Sequence, residues 1–76
     1  MELKRVNSSS LSAVGYDSTA RTLVLTFKNG GTYAYFDVPP SRHRALLKAK
    51  SMGEHFMHHI RDRYRCLKLA LPDEAG

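Results

Sequence analysis

The sequence predicts a small α+β domain, a three-stranded antiparallel β-meander packed against two C-terminal helices, with a short extra strand as an option at the C-terminal end. Three observations predict it. Leu23, Leu25 and Phe27 alternate with Thr22, Val24 and Thr26, the period-two pattern of a half-buried strand. Lys28-Asn29-Gly30-Gly31 follows directly, and Asn and Gly tolerate the positive φ that hairpin turns require. Beyond Pro39-Pro40 the period changes: Met52, Phe56, Ile60 and Tyr64 recur every four residues, with Met57 beside them, as one apolar helical stripe.

The remaining elements follow in order. Leu11 to Tyr16 reads as the first strand, with Gly15 as its expected bulge or close-approach point. Asp17 to Arg21 is a polar loop in which the Asp17 side chain can bond backbone two residues on. Thr32 to Val38 returns as the third strand and ends at the prolines, which cannot donate to a ladder. Pro40 suits the first turn of a helix running to about Lys50, with Leu46, Leu47, His43 and Ala49 turned inward. Ser51-Met52-Gly53-Glu54 has the spacing of a capping box and starts a second helix, expected to reach about Arg65. Leu67, Leu69 and Leu71 then alternate with Lys68 and Ala70, as a fourth strand or an apolar tail. Residues 1–71 make a single domain, and 72–76 an acidic, frayed end.

The facing of Tyr33 and Tyr35 depends on the turn. A two-residue turn would pair Phe27 with Thr32 and place both tyrosines with Val24 and Thr26. A three-residue loop with Gly30 in the left-handed position pairs Leu25 with Tyr33 and Leu23 with Tyr35. A one-residue slip inverts every side chain. The second register gives the more sharply apolar face, which two helices need, so the tyrosines are expected to face the helices. In the first register they would be free to stack on bases.

Size and composition limit the function. A chain of 76 residues buries only about 60% of its unfolded surface, so most apolar residues are committed to folding and a buried catalytic cleft is disfavoured. The single cysteine, Cys66, can form neither an intrachain disulfide nor a metal site alone. The sequence shows no secretory leader and no apolar run near the roughly 18 residues of a membrane span, so a reduced cytoplasmic setting without membrane contact is expected.

Charge is the strongest functional lead. Residues 40–68 hold Arg42, Arg44, Lys48, Lys50, Arg61, Arg63, Arg65 and Lys68 against only Glu54 and Asp62, and all four histidines. Cations near a helix C-terminus complement its dipole, which accounts for part of the pattern. Eight cations over two adjacent helices nonetheless form a surface suited to tracking phosphates. His55, His58 and His59 lie together and His43 could approach, but no carboxylate or cysteine completes a tetrahedral set, so no metal is expected. Cys66 has no orienting partner, and neither a Gly-x-Ser-x-Gly elbow nor a Gly-x-x-x-x-Gly-Lys loop is present, so catalysis and cofactors are not expected.

Val6, Ser8-Ser9, Gly15-Tyr16-Asp17, Tyr33-x-Tyr35, Val38-Pro39, Leu46, Ala49, Ser51-x-Gly53, Phe56, Ile60 and Tyr64 together resemble the KTSC domain, over roughly residues 6–64. That domain is named for its place at the carboxyl end of some lysyl-tRNA synthetases and also stands alone in bacterial proteins. The resemblance implies a non-catalytic domain, and its synthetase setting implies RNA as the partner. Arg42, His43 and His55 stand where similar sequences carry apolar or aromatic residues, and Met57 where they carry asparagine. The expected function is therefore a nucleic-acid-binding module, RNA favoured, using the eight cations, with Tyr33 and Tyr35 as stacking candidates. The alternative is a protein–protein adaptor or homodimer using Leu67 to Leu71.

Overall fold

The computed structural model describes residues 3–28 and 30–69. Five strands form one antiparallel sheet in chain order: β1 (Lys4–Arg5), β2 (Leu11–Asp17), β3 (Thr22–Phe27), β4 (Thr32–Tyr35) and β5 (Cys66–Leu69). Helices α1 (Pro40–Lys48) and α2 (Met52–His59) lie between β4 and β5 in the chain and cover one face. The α+β class agrees with the sequence, but the sheet has five strands and not three. The optional C-terminal strand exists as β5. The short edge strand β1 has no alternating pattern, because both of its residues are charged and exposed.

The three-residue loop is the one adopted. Phe27 N–H donates to the Gly31 carbonyl at 3.0 Å, Gly30 N–H donates to the Phe27 carbonyl at 3.0 Å, and Gly30 has φ 98°. Asn29 lies outside the described residues. Leu25 then pairs with Tyr33 and Leu23 with Tyr35, so both tyrosines share the helix-covered face. The bulge of β2 lies between Leu11 and Ala13, whereas Gly15 pairs regularly with Val24, correcting the expectation of a bulge at that glycine. Asp17 Oδ1 accepts from the N–H groups of Thr19 and Ala20, closing the β2–β3 loop as its side chain predicts. The Ser8 hydroxyl likewise accepts from the N–H groups of Ser10 and Leu11 and turns the chain into β2.

Pro40 begins α1 as expected, since its missing N–H would have no helical partner. The helix stops at Lys48, and only Leu46 of its residues is buried; Leu47 is 45% exposed rather than inward. Ser51 caps α2, its hydroxyl accepting from Glu54 N–H at 3.3 Å. Met52, Phe56 and Ile60 are buried as the stripe predicts, while Met57 is 57% exposed and lies off it. The expectation that α2 reaches Arg65 is corrected. It ends at His59, the N–H groups of Ile60 and Arg61 both donate to the Phe56 carbonyl, and Asp62 adopts φ 64°. A longer helix would carry residues 66–69 away from β4, with which they pair.

The core contains Leu11, Leu23, Leu25, Val38, Leu46 and Ile60, all fully buried. Beside it runs an aromatic chain. Phe56 packs edge-on against Phe27 at 5.2 Å and Tyr35 at 5.5 Å, and Phe27 meets Tyr33 at 5.7 Å. Such edge-to-face pairs contribute about 0.5–1.5 kcal/mol each beyond area burial.

Candidate nucleic-acid interface

The register that turns both tyrosines toward the helices does not bury them equally. Tyr35 is 5% exposed beneath α2, and burial is the main cause that pushes its hydroxyl pKa up to about 12. Tyr33, nearer the turn, is only half-buried. A Cβ on Gly31 would stand 3.3 Å from Tyr33 Cε1, so the bare glycine lets the ring lie close. Lys68 Nζ sits over that ring, 6.0 Å from its centroid, within cation–π range.

Phe27, Gly30, Tyr33, Tyr35, Phe56 and Arg61 enclose an open cleft of about 390 Å³ between the β3–β4 turn and the end of α2. Arg61 reaches it because α2 ends at His59, well short of Arg65. Lys68 reaches the neighbouring edge because it pairs with Tyr33 in β5, and residues opposite one another in a ladder share a face. Aromatic faces and two exposed cations thus meet on one edge, a combination that can receive a flat ring and the anion beside it.

The eight predicted cations do not all gather there. Arg63 is exposed on the turn after α2, and its Nε donates to the His58 carbonyl at 3.2 Å. Arg65 precedes β5, and its backbone carbonyl accepts from Phe36 N–H, so the alternation carries its side chain to the face opposite Lys68. Arg42 is partly buried on α1 and close enough to disfavour the charge on His55. Arg44 acts similarly on His43, and Lys48 is exposed. Lys50 lines a separate cavity of about 500 Å³ with Asn7, Ser8 and Ser9, which contains no aromatic ring. Phe27 and Phe56, which wall the cleft, are absent from the sequence-derived site, since an aromatic in a strand and one on a helical stripe read simply as core.

The histidines also separate. The rings of His55 and His59 stand 4.5 Å apart on one face of α2, but His43 stacks on Tyr16 at 4.7 Å instead of joining them. Burial holds both His43 and His55 below the usual histidine range. Among the described residues no three His, Cys, Asp or Glu side chains are grouped to hold a metal ion. Cys66 is exposed and free. No described helix is long and apolar enough to cross a membrane.

A two-helix layer over a five-stranded antiparallel meander, with an aromatic cleft on one edge, defines a class of small α+β domain. Within that class the chain belongs to the KTSC domain family, whose pattern matches residues 7–64. It is similar to the crystal structure of a KTSC domain protein from Yersinia pestis, with TM-score 0.88 and 33% identity, covering 91% of this chain and 97% of that one. A protein of Tsukamurella paurometabola is 37% identical over 67 residues, 88% of this chain and 100% of its own length. A lysine–tRNA ligase of Nostoc punctiforme is 32% identical over 68 residues, 90% of this chain but only 12% of the ligase.

Proposed function

We propose that this domain is a non-catalytic nucleic-acid-binding module that takes RNA. The observation that carries the reading is the pairing of exposed Arg61 and Lys68 with the half-exposed Tyr33 on one edge of the sheet. Phosphate oxygens are the anions that a row of Arg and Lys attracts with little sequence preference, because neutralising them releases counterions. The similarity to part of a lysine–tRNA ligase favours RNA over DNA. The remaining cations, Arg42, Arg44, Lys48, Lys50, Arg63 and Arg65, supply a broader positive field that speeds encounter. Equilibrium binding of a short single-stranded RNA at low salt tests the reading. Binding that falls as salt rises supports it, and no binding at low salt overturns it.

A second reading has its own observation. Leu67 is 57% exposed on β5, which ends the described sheet, and it projects to the face opposite the helices with Ala34. An apolar edge strand offers backbone to a second copy or another protein. Leu71, which the sequence adds to this surface, lies outside the described residues. Sedimentation of the wild-type chain and a Leu67→Lys variant separates the readings, since only self-association through β5 gives a dimer that the lysine abolishes.

A further inference from the structure

We propose that the cleft beside Tyr33 is a site for one unpaired nucleobase, which stacks on the Tyr33 ring while the adjoining phosphates lie on Arg61 and Lys68. The inference rests on the nucleic-acid reading above and adds a ligand state to it: single-stranded rather than duplex.

Four features carry it. The cleft is open and walled mainly by aromatic rings, and every nucleobase has a π-face that stacks on such rings whatever its sequence. Tyr33 is held in place before any ligand arrives, by its T-shaped contact with Phe27 at 5.7 Å and by the close approach of Gly31, so little ordering remains to be done on binding. Arg61 lines the cleft and Lys68 Nζ lies 6.0 Å from the Tyr33 ring centroid, so both cations are close enough to meet the phosphates of a nucleotide whose base has entered. Finally, Tyr35 also lines the cleft, and its hydroxyl, which burial keeps protonated, is a hydrogen-bond donor for a base edge. Bases in a duplex are already stacked and paired and cannot enter without unpairing, so the same cleft contributes nothing to duplex binding.

The test compares a short labelled single-stranded RNA with a duplex of the same sequence, at one low salt concentration. Three proteins are compared: wild type, Tyr33→Leu and Tyr33→Phe. Tyr33→Leu should weaken single-strand binding by about 5- to 150-fold, the range for one base–aromatic stack, and leave duplex binding unchanged. Tyr33→Phe keeps the ring face and should bind as wild type. Should Tyr33→Leu melt out of range, tyrosine emission of the unmodified chain decides. Quenching by the single strand but not by the duplex supports the site, and equal response to both overturns it. A folded Tyr33→Leu that binds the single strand as wild type, or loses both ligands alike, also overturns the base site while the phosphate-binding function stands. If wild type binds neither ligand, the base site and the function beneath it fall together.

Discussion

Gly53, in the first turn of α2, lies against Ser10 so closely that a Cβ at position 53 would stand 2.6 Å from the Ser10 Oγ and 3.0 Å from its Cβ. The contact locks the start of α2 onto the segment that enters β2, and it gives the Ser51-x-Gly53 pattern a physical cause. Alanine normally improves a helix by up to about 1 kcal/mol over glycine. Here Gly53→Ala should instead destabilise by about 1–2 kcal/mol, because overpacking outweighs propensity. Ser10→Gly in the same chain removes both clashing atoms and should recover most of the loss. Urea midpoints of the single and double variants check this; a stabilising Gly53→Ala would refute the close packing.

Ser51 meets the neighbouring N–H of Glu54 through its hydroxyl. Ser51→Ala should cost about 1 kcal/mol, the usual value for losing an N-cap. An unchanged denaturation midpoint would mean that the cap contributes nothing to α2.

The two tyrosines should separate by stability. Tyr35→Ala opens a cavity under Phe56 and should cost about 3–5 kcal/mol. Tyr33→Ala, at the half-open edge, should cost clearly less. Equal losses in thermal or urea unfolding would show that Tyr33 is core and unavailable to a ligand.

Stability should also fall with acid in a window set by two histidines. Burial depresses the folded-state pKa of His43 and of His55, with Arg44 adding to the first, and His59 and then Arg42 to the second. His55 Nε2 is buried without a hydrogen-bond partner, so a proton there would meet no acceptor. The unfolded chain takes these protons near pH 6.5 and the folded chain only below it. The stabilisation is therefore complete above pH 6.5 and is lost as pH falls through the depressed folded values. Melting temperatures measured from neutral to mildly acidic pH should decline, and a His43→Gln/His55→Gln double variant should flatten that decline. An identical slope in the double variant would count against the assignment.

Much of the fold was legible because the relevant information is local. The alternation of Leu23, Leu25 and Phe27 with Thr22, Val24 and Thr26, joined to a glycine-rich turn, favoured the observed strand register over its one-residue alternative, and the Ser51 spacing located the start of α2. The end of α2 was not legible, because Tyr64 continues the four-residue period while Asp62 turns the chain back toward β4. The edge strand β1 was not legible either, since two charged residues carry no period. The basic residues were visible but their grouping was not. Only the pairing of Lys68 with Tyr33 and the early stop near Arg61 bring two of the eight to the cleft, and both depend on contacts between distant parts of the chain.

The most direct test of nucleic-acid binding is the salt dependence of affinity for a short single-stranded RNA, measured for three proteins. Each phosphate contact contributes about −0.7 to the log–log slope for a single strand. Arg61→Gln/Lys68→Gln should flatten the wild-type slope by about 1.4, two contacts' worth, without changing the fold, because exposed charges contribute little to stability. Lys4→Gln/Arg5→Gln, on β1 at the other edge of the sheet, removes the same charge and should leave the slope near wild type. If both pairs flatten the slope alike, the attraction is bulk charge and the cleft edge is no site; if wild type shows no binding at low salt, the nucleic-acid function is contradicted outright.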